Sequence, residues 1–198
     1  MNNPGMNKNR LEAFSDGVLA ILITIMVLEL KVPAEPTIDA LLPVYPVFLS
    51  YVLSFVYLAI YWNNHHHMLH TVGKANGAIL WANLHLLFWL SLVPFVTAWM
   101  GENHFASLPT GIYGAVMLMA AIAYFILQQI IIASQGAGSL LKKAIGGDWK
   151  GKISPILYMS AISAAFWLPW ISLGIYVLVA LIWLVPDKRI ERMFMSEN

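Results

Sequence analysis

The chain has 198 residues, of which 60% are apolar and only 11% are Asp, Glu, Lys or Arg, against roughly 45–50% and 25% in soluble domains. This composition excludes an ordinary soluble domain. It predicts an all-α integral membrane protein, since about 20 apolar residues make one spanning helix. The net charge of +1 argues against a nucleic-acid partner, and the absence of cysteine excludes disulfides and thiolate chemistry.

Six membrane-spanning helices are predicted from the apolar segments that separate the charged residues, and they form a single domain over residues 1–198. The last uncharged stretch is short for two spans and long for one, and we divide it near Leu168 and Pro169. The predicted spans are residues 9–32, 41–70, 75–100, 107–135, 153–168 and 170–186.

The N-terminal segment has one alternative interpretation, a cleaved secretory signal, because residues 18–28 have the length of a signal's apolar core. Two observations argue against it. Glu12 and Asp16 lie where a signal is basic, and no small-residue cleavage site follows. We therefore expect this segment to remain as the first spanning helix.

The basic residues predict the orientation, since positive charge stays on the cytoplasmic side of a membrane. With six spans, ten of the eleven Lys and Arg residues lie on one side and only Lys31 lies on the other. We therefore predict a multi-pass protein with both termini in the cytoplasm. The ten residues are Lys8, Arg10, Lys74, Lys142, Lys143, Lys150, Lys152, Lys188, Arg189 and Arg192.

The first span is unusual because its uncharged part is short. Only twelve residues separate Asp16 from Glu29, which is about 18 Å of helix against a hydrocarbon core of about 30 Å. Charged groups at membrane depth usually face a bundle interior or water. We therefore expect this helix to lie inside the protein, although the same charges would also mark the two interfaces of a tilted helix.

One stripe of the first span has spacings of alternately four and three residues, as along one face of a helix. A parallel oligomer could place this stripe on its symmetry axis, with Ile21 and Leu28 as narrow apolar levels and the hydroxyl of Thr24 between them. Ordinary helix packing gives the same periodicity, so both interpretations stay open. The stripe consists of Arg10, Phe14, Gly17, Ile21, Thr24, Leu28 and Lys31.

Four segments resemble a known family. They are the Arg-x-x-x-Phe-Ser-Asp string at residues 10–16, Leu-Glu-Leu-Lys-Val-Pro at residues 28–33, Tyr-Trp-Asn-Asn-His-His-His at residues 61–67, and Leu-Ser-Leu-Val-Pro-Phe at residues 90–95. The sequence is similar, over essentially its whole length, to the prokaryotic relatives of the endolysosomal potassium channel called transmembrane protein 175.

The resemblance implies a homotetrameric potassium-permeable channel of the prokaryotic plasma (inner) membrane, with its pore lined by the first helix of each subunit. Potassium ions, the lipid bilayer and further copies of the chain are then its partners. Carried over by position, Ile21 and Leu28 would be the constricting apolar rings, with Thr24 facing the pore between them. A polar network would brace the cytoplasmic end of the helices, formed by Arg10, Phe14, Ser15, Asp16 and one histidine of residues 65–67, for which we choose His66.

Two other classes of protein are alternatives for this sequence. A secondary or proton-coupled transporter of the plasma membrane is the main alternative, but it needs acids in several helices and an internal repeat. A membrane metalloenzyme could use the histidines of residues 65–70, which have chelating spacing, but further ligands are missing from the sequence. We therefore predict no enzymatic activity, no metal and no cofactor.

Overall fold

A computed structural model describes residues 8–184, and every regular element in that part of the chain is helical. Short 3₁₀ turns cover Met26–Glu29, Asp39–Val44 and Gly136–Gly138. The helices are α1 (Lys8–Ile25), α2 (Tyr45–His70), α3 (Gly77–Ser91), α4 (Val93–Glu102), α5 (Ser107–Gln135), α6 (Leu140–Ile145), α7 (Trp149–Ala165) and α8 (Pro169–Leu184).

Four helical segments are long and apolar enough to cross a membrane. They are Lys8–Glu29, Asp39–His70, Gly77–Glu102 and Ser107–Gln135. The last two helices, α7 and α8, have 17 and 16 residues, which is about 25 Å of helix each. Helix α8 reaches the last described residue. The end of the last predicted span and the basic residues Lys188, Arg189 and Arg192 lie outside the described residues.

The segment predicted as the third span, residues 75–100, is divided into two consecutive helices. Helix α3 ends at Ser91 and α4 begins at Val93. Pro94 causes the break, because it has no N–H to donate to the carbonyl of Leu90 and its ring crowds the preceding turn. Asn76 caps the start of α3, where its side-chain oxygen accepts a hydrogen bond from the N–H of Ile79 at 2.9 Å.

Helix α5 is the centre of the fold and packs against α3, α4, α7 and α8. Its buried face includes Tyr113, Met117 and Leu127. Gly114 allows α8 to approach closely, because a Cβ at this position would collide with the hydroxyl of Tyr176. Small residues serve the same purpose in membrane helix packing generally.

Buried hydroxyl groups connect the helices in the same region. The Tyr57 hydroxyl on α2 donates to the Tyr176 carbonyl at 2.6 Å, and the Tyr176 hydroxyl donates to the Thr110 carbonyl at 3.0 Å. Ser54 on α2 and Thr97 on α4 share a hydrogen bond of 2.7 Å. Because lipid offers no alternative partner, such bonds hold spanning helices in register.

Candidate functional site

The stripe recognised in the sequence of the first helix is exposed along its whole length in the single chain. Its apolar members are the clearest case, since Phe14 is 53% exposed, Ile21 60% and Leu28 79%. In a membrane protein, an apolar surface of this kind faces lipid or another protein surface. The packing inside one chain therefore does not account for the stripe.

The opposite face of α1 provides the contact with the rest of the subunit. Leu11, Ser15, Leu19 and Leu22 are buried there, and Met26 continues the same face into the 3₁₀ turn. Helix α1 uses this face to pack against α2, α3 and α4. The helix thus has one side fixed in the subunit core and one side that no described residue covers.

Thr24 lies on the exposed stripe, one turn after Ile21. Its hydroxyl is placed to donate to the carbonyl of Ala20 or Ile21, each at 3.0 Å. The donor is therefore used within the helix, and the lone pairs of the hydroxyl oxygen stay available on the stripe. Such an oxygen can accept a hydrogen bond from water or contact a cation.

A buried chain of hydrogen bonds fixes the start of α1 to α3 and α2. The Ser15 hydroxyl donates to the Leu11 carbonyl at 2.9 Å and accepts from the Asn83 amide, also at 2.9 Å. The Asn83 side-chain oxygen lies 2.6 Å from Nε2 of His65. Because that oxygen can only accept, His65 carries its proton on Nε2. All three side chains are buried, so the chain is shielded from competing water.

A second, more exposed cluster joins α1 to α2 beside this chain. Nδ1 of His66 lies 2.8 Å from a carboxylate oxygen of Glu12. The indole N–H of Trp62 donates to Asp16 at 3.0 Å, and the Trp62 and His66 rings stack with centroids 6.2 Å apart. Asp16 is therefore held by a neutral donor on α2.

The same cluster contains a set of potential metal ligands. One ligand atom from each of Glu12, Asp16 and His66 lies within 4.8 Å of the other two. Two carboxylates and one imidazole are a donor set that divalent transition metals accept. In this structure Asp16 accepts a hydrogen bond from Trp62, and Nδ1 of His66 lies beside the Glu12 carboxylate.

Arg10 and Phe14 are not part of either cluster within the subunit. Both are exposed, and neither takes part in the Lys31–Glu102 ion pair or in the contact between Glu12 and His66. The sequence-predicted motif network is thus divided in the single chain. Ser15 belongs to the buried chain, Asp16 and His66 belong to the exposed cluster, and Arg10 and Phe14 face outwards with Ile21 and Leu28.

The far end of the first span is tied to α4. Nζ of Lys31 donates to a carboxylate oxygen of Glu102 at 2.8 Å. This hydrogen bond, together with the negative charge of Glu102, raises the pKa of Lys31 above its ordinary value. Both side chains are well exposed, so the contact positions the 3₁₀ turn and adds little stability.

Sequence reasoning did not assign three of the residues that form this site. Asn83 bridges α1 and α2, Trp62 binds Asp16, and Glu12 binds His66. Asn83 had a usable signal, because it is an amide within the otherwise apolar helix Gly77–Ser91. Trp62 had none, because tryptophans near span ends are ordinary features of the membrane interface.

Comparison with known proteins agrees with the family suggested by the sequence motifs. The family model described as "Endosomal/lysosomal potassium channel TMEM175" matches residues 10–94. A protein named as a potassium channel of Chryseobacterium sp. (strain P1-3) is 59% identical over 187 residues, covering 94% of this chain and 97% of that protein. Another, from Chamaesiphon minutus, is 31% identical over 186 residues, covering 87% and 91%.

The fold has a counterpart among solved structures. The crystal structure of a lysosomal potassium-selective channel TMEM175 homolog from Chamaesiphon minutus superposes with a TM-score of 0.79 at 29% identity. The superposition covers 91% of this chain and 97% of that one. The resemblance predicted from the motifs is confirmed by sequence and fold together, and the chain belongs to the TMEM175 family.

Proposed function

We propose that this chain is the subunit of a potassium-permeable cation channel, in which four copies place their α1 helices around a common axis. The observation that carries the proposal is the uncovered stripe of α1, whose apolar residues are at least half exposed although the opposite face is packed in the core. The relatives named as potassium channels support the choice of ion.

The stripe supplies a sequence of levels along the proposed pore. Leu28 follows Ile21 by seven positions and lies in the 3₁₀ turn after α1, so the two levels are about 10–12 Å apart along the axis. Four copies of each would form two apolar rings, with a ring of Thr24 hydroxyl oxygens between them. An apolar ring passes ions when it becomes wetted or when ions cross partly dehydrated. For a pore with such rings we expect a low conductance and a modest preference for K⁺ over Na⁺.

The hydrogen bonds at the start of α1 hold the proposed lining helix in a fixed rotation. Ser15 connects it to α3 through Asn83, and Asp16 connects it to α2 through Trp62. With these contacts on one side, Arg10 and Phe14 are left on the side that faces neighbouring subunits. We assign these two residues to contacts between subunits at the cytoplasmic end of the pore.

The proposed topology has six spans and cytoplasmic termini in a bacterial plasma membrane. Four spans follow from length and hydropathy. Helix α8 is apolar, and a turn of three residues between Ala165 and Pro169 joins it to α7, which suits two antiparallel neighbours in a bundle. They supply the fifth and sixth spans. The basic residues of the short helix α6, Lys142 and Lys143, then lie in the cytoplasm.

The experiment that tests this function is a recording from the purified protein in a planar bilayer, with K⁺ and Na⁺ on opposite sides. A channel gives a steady current whose reversal potential moves towards the equilibrium potential of K⁺. A secondary transporter would instead show saturable flux that stops when the coupled ion is removed. The second result, or the absence of current in protein shown to be tetrameric, would overturn the proposal.

A further inference from the structure

A cavity of about 50 Å³ lies between α2, α5, α7 and α8, and no residue of α1 lines it. Its walls are mainly aromatic, and its polar groups include Asn64, Gln128, Asp148 and Ser154. At about 10–15 Å³ for each water-sized molecule, the cavity has room for only a few non-hydrogen atoms. It is a small-molecule site by shape, and the proposed pore does not use it.

The polar groups of the cavity have their donors bound to protein oxygens. The Asn64 amide donates to the Ile60 carbonyl at 2.8 Å, and the Ser154 hydroxyl donates to the Lys150 carbonyl at 2.7 Å. The Gln128 amide donates to Asp148 at 3.2 Å. Asn64 and Gln128 each keep a side-chain oxygen and a second N–H for an occupant. The two side-chain oxygens can accept hydrogen bonds from a guest that brings donors.

The polar residues of the cavity include one acidic side chain, Asp148. Asp148 caps the start of α7, where one carboxylate oxygen accepts from the N–H of Gly151 at 3.1 Å. Its other oxygen accepts from the Gln128 amide. Both donors are uncharged amides, and these bonds orient the carboxylate. A cationic guest would therefore be attracted to this part of the cavity.

The walls of the cavity are suited to the same guest. The rings of Tyr61 and Tyr124 meet edge to face at 6.1 Å, and those of Tyr124 and Trp183 do so at 6.4 Å. The indole N–H of Trp183 is used by Ser154 at 2.8 Å, so this ring offers only its apolar surface and π face. Aromatic faces attract cations, most strongly where water is excluded.

We propose that the cavity binds a small protonated primary amine, with its ammonium group towards Asp148 and the amide oxygens and its short alkyl part against the aromatic rings. The volume fits ethylammonium and excludes nucleotides, sugars and long-chain amines. A free alkylamine and the ethanolamine headgroup of a phospholipid present the same ammonium chemistry. The site is separate from the α1 stripe and stands whether or not the stripe lines a pore.

The test is isothermal titration calorimetry with ethylammonium chloride, on the purified full chain in detergent at pH 7 and constant ionic strength. We expect saturable binding with one ethylammonium per chain. The variant Asp148→Asn keeps a good helix cap but removes the charge, and its affinity should fall by about tenfold or more. Asp39→Asn removes an equal charge from an exposed position and should leave the affinity unchanged.

A second variant addresses the aromatic wall, should Asp148→Asn disturb folding. Tyr61→Leu keeps an apolar side chain but removes a π face, and we expect several-fold weaker binding from it. Absence of saturable heat with the unmodified chain would overturn the proposal. Equal affinity in both cavity variants, or full displacement of ethylammonium when NaCl is replaced by KCl, would do so as well.

The source of the amine is resolved in the same experiment by adding lipid. If the natural guest is a headgroup, phosphatidylethanolamine in the detergent micelles will compete and lower the apparent affinity for ethylammonium, whereas phosphatidylcholine will not. If the guest is a free amine, neither lipid will change the affinity. Both results support an ammonium site, and they assign it to different guests.

Discussion

The side-chain amide of Asn83, on α3, donates a hydrogen bond to the hydroxyl of Ser15, on α1, at a distance of 2.9 Å and with both residues fully buried. Together with the buried Leu11, Leu19 and Leu22, this contact holds one face of α1 against the rest of the chain. With Ser15 turned inwards, the residues on the other side of the helix, including Ile21, are turned outwards.

Replacing Asn83 with leucine should destabilise the subunit. The substitution keeps the volume but removes the donor to Ser15 and leaves the Nε2–H of His65 without its acceptor, at a cost of about 1–2 kcal/mol. Thermal unfolding of the solubilised protein, followed by circular dichroism, measures this loss. Asn103→Leu is the control, since that amide is exposed and water can replace its bond. Equal melting temperatures for the two variants would show that the buried chain contributes nothing.

Removing the Arg10 side chain should impair assembly and leave the fold of the subunit intact. Arg10 is exposed in the single chain, so in the proposed tetramer its partners lie in a neighbouring subunit. Arg10→Ala should shift the cross-linked species in mild detergent from four subunits towards one. Lys74→Ala removes a basic residue from an exposed loop position and should stay tetrameric. An Arg10→Ala protein that still cross-links to four subunits would contradict this assignment.

Adding one methyl group at Gly114 should disturb the contact between α5 and α8. A Cβ there would collide with the Tyr176 hydroxyl and crowd Ile162, and overpacking of this kind costs about 1–3 kcal/mol. Gly174→Ala is the matched control, because its Cβ would meet nothing within 4 Å and alanine favours a helix. We expect a lower melting temperature for Gly114→Ala and an equal or higher one for Gly174→Ala. The reverse order would mean that the two helices are packed differently.

Shortening Ile21 should increase current and reduce ion preference. Four alanines would leave a wider ring that wets more easily, so ions would cross with more of their hydration shells and less discrimination. Reversal potentials under opposed K⁺ and Na⁺ measure the effect. Ile156→Ala is the matched control, since Ile156 is 63% exposed but lies on α7. Leu19 is unsuitable as a control, because it is fully buried and its truncation would cost about 2–5 kcal/mol.

The sequence predicts some of these features because they depend on periodicity alone. The alternation of four and three residues placed Phe14, Ile21 and Leu28 on one face of a helix, and the structure leaves that face exposed. The apolar segments likewise predict helices, and every regular element in the described part of the chain is a helix. Both features are local, so no knowledge of the tertiary arrangement was required.

The partners of the motif residues could not be predicted, because they depend on how separate helices meet. Asp16 was expected to share a cluster with Arg10, whereas in the subunit it accepts a hydrogen bond from Trp62. Two residues six apart in a helix lie on different sides, and Arg10 accordingly falls on the exposed face. Pro94 lies within the predicted third span, and the sequence does not decide between a kink and a helix end there, because proline in a membrane helix allows both.

In the proposed channel Ile21 faces the ion pathway, and chemical modification of a cysteine at this position shows whether it does. The chain contains no cysteine, so Ile21→Cys would be its single reactive thiol, and Ile156→Cys a matched thiol on α7. We predict that a charged methanethiosulfonate reagent, added during a bilayer recording, abolishes the current of Ile21→Cys and leaves that of Ile156→Cys unchanged. Block at Ile156 with no effect at Ile21, once mass spectrometry has shown both thiols to be modified, would contradict the claim.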